Sequence, residues 1–227
     1  MAYEIYIGDR MFSSWSLRGW LMLEKFSLPH TVHMVGLYSG TMAADMAHLA
    51  PARLVPALRT PEGTVVGESL AIAETLAERH PEAGLWPADP AQRATARWLA
   101  AEMVGGFAAL RGECPMQLAH MYEGFEVSRG VKADLERIEA LFSHARKVSG
   151  HNSGYLFGDY SLADVFYTPA AARIMGYGLP VPAATRSYCR LLLSDPAVLR
   201  WQSLAHEVSY DPEPYALDLP RRPWSLD

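Results

Sequence analysis

Ser13, Ser14 and Ser16 fall where an alternating, strand-like start from Tyr3 to Gly8 hands over to the first apolar helical stripe. A second cluster lies downstream: Val55-Pro56 precedes a short apolar strand, Pro61-Glu62-Gly63 turns the chain, Thr64-Val65-Val66 reads as a returning strand, and Glu68-Ser69 opens a helix. Proline at the start of a strand removes no interior ladder bond, and a cis bond between Val55 and Pro56 would turn the chain sharply there. The N–H and C=O of Val55 are then free for a partner outside the sheet. An extended peptide lying antiparallel to Val55 takes both bonds. Glu68 and Ser69 at a helix N-terminus add a carboxylate acceptor, a hydroxyl and free backbone donors. The ligand that suits this set is a small zwitterionic peptide.

The elements that must position these residues follow from periodicity. Leu17, Trp20, Leu21 and Leu28 share one helical face after Ser13-Ser14, Leu28-Pro29 ends that helix, and Thr31 to Val35 reads as a second strand,. Thr41 to His48 is a short helix; the hairpin and a helix from Ser69 to Arg79 complete a β-α-β unit followed by a hairpin and helix,. That order is thioredoxin-like, so residues 1–80 are expected to form an α/β domain. The segment 81–90, rich in proline and without a period, reads as a linker.

Residues 91–227 read as all-helical. Ala96, Leu99, Met103, Phe107 and Leu110 predict one long amphipathic helix, and Leu135, Ile138, Leu141, Phe142, Ala145 and Val148 a second,. Ser161-Leu162-Ala163-Asp164 is a capping box at the start of a third, with Tyr160 and Val165 placed as its hydrophobic staple, Pro169 expected to kink it and Gly176 to end it,. Two more helices are predicted over 184–193 and 196–206. The proline-bearing tail from Asp211 to Asp227 shows no helical stripe.

Composition excludes several functions. A chain of 227 residues with 50% hydrophobic content and a formal net charge of −5 is an ordinary globular one without a basic surface for nucleic acid,. No apolar run approaches the ~20 residues of a membrane span, and the first residues lack the pattern of a signal peptide. A cytoplasmic location is expected. Cys114 and Cys189 have neither CxxC nor metal-ligand spacing and read as free thiols, and His30 and His33, three apart on a strand, point to opposite faces,. No metal is expected.

The V-P unit followed by E-S at a helix start resembles the glutathione-binding half of the cytosolic glutathione transferases. Ser13-Ser14-Trp15-Ser16-Leu17-Arg18 is similar to the serine-type members, nearest the zeta-like S-S-C-x-W-R pattern and its bacterial S-S-W-S-L-R relatives. The resemblance implies that Val55, before the cis Pro56, pairs with the cysteinyl backbone of glutathione, that Glu68 and Ser69 hold its γ-glutamyl end, and that Arg53 is the basic group for its glycine carboxylate. It also implies a homodimer and an electrophile pocket walled by the helical domain, with Trp15, Phe107, Arg111 and Tyr167 as candidates. Arg18 reads instead as structural.

Glutathione's thiol behaves like cysteine, with a pKa of ~8.5, so each unit of depression needs about 1.4 kcal/mol of preferential thiolate stabilisation. A hydroxyl at the strand-to-helix junction donates to sulfur, and the helix dipole adds to it. Ser13 is first by register and Ser14 stands beside it. Three functions remain open: conjugation of glutathione to a small apolar electrophile as the leading one, glutathione-dependent cis-trans isomerisation, and a non-catalytic binding module. Trp15 replaces the cysteine of zeta members, and Leu54 interrupts the basic-residue pattern that many members carry before V-P. A serine hydrolase is disfavoured, since the chain has no G-x-S-x-G elbow.

Overall fold

The computed structural model describes residues 2–207 and 213–226. β1 (Tyr3–Ile7), α1 (Ser14–Glu24) and β2 (His30–Met34) form the opening unit, with β1 and β2 parallel and Ile5 opposite Val32. After the short helix α2 (Met42–Met46), β3 (Ala57–Arg59) and β4 (Val65–Val66) complete a four-stranded sheet of order β2-β1-β3-β4, with Tyr6 opposite Ala57 across the antiparallel β1–β3 pair. Strand periodicity divides the core. Ile5 and Ile7 point to the face covered by α1 and by α3 (Ser69–Arg79), which buries Ile72 and Leu76,. Tyr6 points to the other face, where Val35, Met46 and Leu49 enclose it.

α1 sits close to the sheet because position 19 is glycine. A Cβ there would meet Pro56 Cβ at 2.5 Å. The peptide bond from Val55 to Pro56 is cis, as expected, and that from Ala50 to Pro51 is cis as well.

The remaining helices are α4 (Pro90–Gly105), α5 (Ala108–Glu113), α6 (Arg129–Ser149), α7 (Leu162–Gly176), α8 (Ala183–Leu193) and α9 (Pro196–Ala205). Every residue of α7 is buried, as its nearly all-apolar sequence requires, so it is the centre of the helical domain,. Its capping box forms: Asp164 accepts from the Ser161 backbone N–H at 2.8 Å, and Tyr188 Oη donates to the other carboxylate oxygen at 2.7 Å. The helix runs on through Pro169. It ends at Gly176 as expected, where Trp224 also approaches, and the left-handed residue that closes its C-terminus is Gly178, with Leu179 N–H bonding back to Ile174 C=O at 2.9 Å,.

Two features depart from the sequence expectation. The long helix predicted through Phe107 breaks at Gly106-Phe107, where Phe107 takes a φ of +58°. Arg111 supports the break, donating to Val104 C=O at 3.0 Å and so capping α4's last turn,. The tail does not run free of secondary structure. β6 (Arg221–Pro223) pairs antiparallel with β5 (His120–Tyr122), which lies in the stretch between α5 and α6. Residues 211, 212 and 227 of the expected tail lie outside the described residues. The two halves lock together where Trp201 Nε1 donates to Arg10 C=O at 2.8 Å and Arg18 Nε to Phe166 C=O at 3.0 Å.

Candidate active site

The handover from β1 to α1 assigns each serine a different task. Ser13 is the N-cap: its Oγ accepts from Ser16 N–H at 3.3 Å and donates its single hydrogen to Ser16 Oγ at 2.8 Å,. Ser16, fully buried, also accepts from Gly8 N–H at 2.9 Å, which ties the helix start to the end of β1. Ser14 is the first residue of α1 and lines an open cleft. Its Oγ accepts from Arg173 Nη2 at 3.4 Å, and it donates to no acceptor among the described residues.

That cleft, ≈ 720 Å³, lies between the sheet edge and the helical domain, with Ser13, Ser14, Trp15, Leu54, Val55, Arg111 and Arg173 in its wall. Val55 stands beyond the last β1–β3 pair, and among the described residues no loop or turn backbone bond engages it. Leu54 is shared with a second hollow lined by Arg53, Gly67 and Glu68, so the groove continues along the edge to the start of α3. Glu68 holds a φ of +62°, uncommon outside glycine, and presents its carboxylate at the surface,. Next to it Ser69 is 2% exposed, and its Oγ has no hydrogen-bond partner among the described residues. A buried hydroxyl left unpaired is costly, by about 1–3 kcal/mol, and a ligand ammonium or carboxylate at this helix start would satisfy it.

Two arginines, Arg111 and Arg173, line the cleft, and a third, Arg18, is buried beside Trp15. Arg18 and Arg111 stack on the Trp15 indole at 4.5 and 4.7 Å from its centroid,. Arg173, almost wholly buried, leaves its Nε unpaired, as Arg18 leaves Nη1. None of the three pairs with a carboxylate among the described residues. Burial pushes Arg173 down to about 10, and the neighbouring Arg111 charge adds to that; Arg18 is pushed down likewise. A buried cation without an anion is unfavourable. This arrangement attracts negative charge, whether a thiolate beside Ser14 or a carboxylate deeper in.

Comparison with known proteins agrees with this geometry. The family model described as glutathione S-transferase, N-terminal domain, matches residues 12–79. A maleylacetoacetate isomerase of Pseudomonas aeruginosa is 32% identical over 210 residues, spanning 86% of this chain and 92% of its own. The chain belongs to the glutathione S-transferase family. Its sequence is zeta-like within that family. Among solved structures, a glutathione transferase homologue from Burkholderia, crystallised with bound glutathione, superposes with a TM-score of 0.68 at 23% identity, covering 92% of this chain and all (100%) of its own. Glutathione transferase Omega 1C of Trametes versicolor gives 0.69 at 18% identity, covering 91% and 94%. Both share the thioredoxin-like domain followed by a helical domain.

Placed on this transferase fold, the sequence-predicted residues divide. Ser13, Ser14, Trp15, Val55 and Arg111 meet in the cleft, and Arg53, Glu68 and Ser69 extend it along the sheet edge, with Pro56 buried beneath against Gly19. Tyr167 does not reach it. Its ring packs on Phe142 in the helical core and its Oη donates to Leu99 C=O at 3.3 Å, on a face of α7 turned away from the cleft that Arg173 lines. Phe107 is also buried, 6% exposed; the backbone break turns its ring away from the lining, to which Gly106 and Ala108 contribute instead. Arg173, Tyr38 and Tyr215 line the cleft and were not anticipated. Arg173 had a signal in the sequence: it is the one basic residue in the stretch 162–176, where the other ionisable charge, Asp164, is taken by the capping box, and an unexplained charge in a core helix marks a site,. Tyr215 had none, since its place depends on a pairing of two three-residue strands far apart in the chain.

Proposed function

We propose that the chain is a glutathione-dependent cis-trans isomerase acting on a small dicarboxylic acid of the maleyl type. The observation that carries this reading is the pair of arginines in the cleft wall, Arg111 and Arg173, with Arg18 buried behind Trp15, none of them with a carboxylate partner among the described residues. The leading expectation from sequence, an apolar electrophile, suits such a wall poorly. The name of the Pseudomonas aeruginosa relative points the same way.

Glutathione lies along the edge beside Val55, with its γ-glutamyl end at Glu68 and Ser69 and Arg53 facing its glycine carboxylate. When bound, it supplies a thiolate that adds to the conjugated double bond, so that a C–S bond forms and the π pair moves onto the carbonyl, and after rotation about the resulting single bond the thiolate leaves again. Ser14 donates to the sulfur, because its hydrogen is uncommitted whereas that of Ser13 is held by Ser16. Ser13 caps α1 and keeps Ser14 at the mouth of the positive helix end. Arg173 raises the acidity of the Ser14–sulfur pair by its charge and, with Arg111, holds a carboxylate of the acid. Trp15, stacked between Arg18 and Arg111, keeps both guanidiniums in place where zeta members carry a cysteine. Holding both reactants in one cleft removes a large entropic part of the barrier.

The test is turnover of a maleyl-type diacid with sub-stoichiometric glutathione, followed by proton NMR. The proposal predicts conversion of cis to trans with glutathione unchanged at the end. Glutathione consumed in proportion to product would establish conjugation instead, and absence of both reactions would leave a binding module.

A further inference from the structure

The cleft has a wall that comes from the far end of the chain. β6 pairs with β5 in the register Met121↔Arg222, Leu217 N–H donates to Tyr122 Oη at 3.1 Å, and Arg221 pairs with Glu213 at 3.0 Å. This ribbon fixes the segment 213–226 against the helical domain and delivers Tyr215 to the lining that Ser14, Arg111 and Arg173 share. There it meets the other domain. Tyr38, in the stretch after β2, donates its phenol hydrogen to Tyr215 Oη at 2.7 Å. Among the described residues Phe12 packs with both tyrosines: its centroid lies 6.1 Å from Tyr38 and 6.1 Å from Tyr215, with 5.7 Å between the two tyrosines, all edge-to-face,.

The direction of the Tyr38 bond matters. A phenol has one hydrogen, and Tyr215 accepts rather than donates in this pair,. Among the described residues its own O–H donates to no acceptor, and accepting from Tyr38 polarises it as a donor. The ring is 40% exposed, so the hydroxyl is reachable from the cleft. Arg173 lines the same cleft.

We propose that Tyr215 is a specificity-determining residue: its O–H donates to an oxygen of the second substrate whose carboxylate is held by Arg173 and Arg111, and Tyr38 holds the phenol in position. This rests on the diacid assignment above. It adds that a residue of the C-terminal segment, joined to the glutathione-binding domain through Tyr38 and Phe12, selects acids that offer an acceptor on that side. An analogue with a methyl group in place of that oxygen leaves the hydroxyl unpaired and is rejected.

Maleate is the probe, titrated into the full-length protein saturated with glutathione and followed by calorimetry. Tyr215→Phe keeps the ring cluster and removes only the O–H; maleate affinity is expected to fall about tenfold, the range for a hydrogen bond to a charged group, with glutathione affinity and Tm unchanged. Tyr38→Phe is expected to cause a smaller loss, about threefold, and the double variant to bind no worse than Tyr215→Phe alone, because the two hydroxyls act in series. Arg173→Met separates the two assignments. If it abolishes maleate binding while Tyr215→Phe binds as wild type, the diacid assignment stands and the role given to Tyr215 is overturned. If the wild type does not bind maleate, both are overturned.

Discussion

Replacing Ser13 and Ser14 by alanine, one at a time, separates a structural hydroxyl from a chemical one. Ser14 Oγ accepts from Arg173 at 3.4 Å and has its hydrogen free for sulfur, so Ser14→Ala removes a bond to a developing anion. Such a bond contributes about 1.5–3 kcal/mol, which is about one to two units of thiol pKa and a tenfold to hundredfold fall in thiolate at neutral pH. Ser13 Oγ instead accepts from Ser16 N–H at 3.3 Å and donates to Ser16 Oγ at 2.8 Å. Its loss removes an N-cap, worth about 0.5–2 kcal/mol of stability, and shifts the thiol little. The assay is ultraviolet absorbance of the thiolate of protein-bound glutathione across pH, with urea denaturation in parallel. Ser14→Ala should move the thiol and leave the unfolding midpoint almost in place; Ser13→Ala should do the reverse. The opposite pattern, a raised thiol pKa in Ser13→Ala with no shift in Ser14→Ala, would refute the assignment of the free hydrogen.

Other outcomes follow from the packing. Gly19→Ala places a methyl 2.5 Å from Pro56 Cβ, so it should destabilise by about 1–3 kcal/mol and weaken glutathione binding though no ligand contact is touched, as denaturation and calorimetry would show,. Asp164→Ala leaves the Ser161 backbone N–H and the Tyr188 hydroxyl buried without an acceptor; at about 1–3 kcal/mol each, Tm should drop by about 5–15 °C by scanning calorimetry,. Arg173 keeps its charge below its value of about 10, so maleate affinity should stay flat from about pH 7 to about 9 and fall as pH rises through 10; a loss between pH 7 and 8 would exclude Arg173 as the anion's partner,.

What the sequence made legible was whatever depends on local spacing. The Val55-Pro56 turn, the Glu68-Ser69 helix start and the capping box at Ser161 are each set by neighbours within a few residues, and each forms where expected. Family resemblance extended this to the order of domains. Rotation of the helices about their axes was not legible. A 3.6-residue period admits Tyr167 to either the pocket or the core, and only its packing on Phe142 and its bond to Leu99 C=O decide for the core,. The break at Gly106-Phe107 was hidden because the apolar stripe continues on both sides of it. The pairing of Met121 with Arg222 joins segments about a hundred residues apart, for which no local pattern exists. With it went Tyr215 and the closed side of the cleft.

The central claim is that the sheet edge beside Val55 delivers a glutathione sulfur to Ser14 in a cleft made cationic by Arg111 and Arg173. A crystal structure of the glutathione complex tests it most directly. The account predicts the cysteinyl backbone paired with Val55, the γ-glutamyl group within hydrogen-bond reach of Ser69, and the sulfur about 3.2–3.5 Å from Ser14 Oγ, allowing for sulfur's larger radius. A sulfur placed on Ser13 and beyond reach of Ser14, or a peptide bound away from Val55, would contradict it.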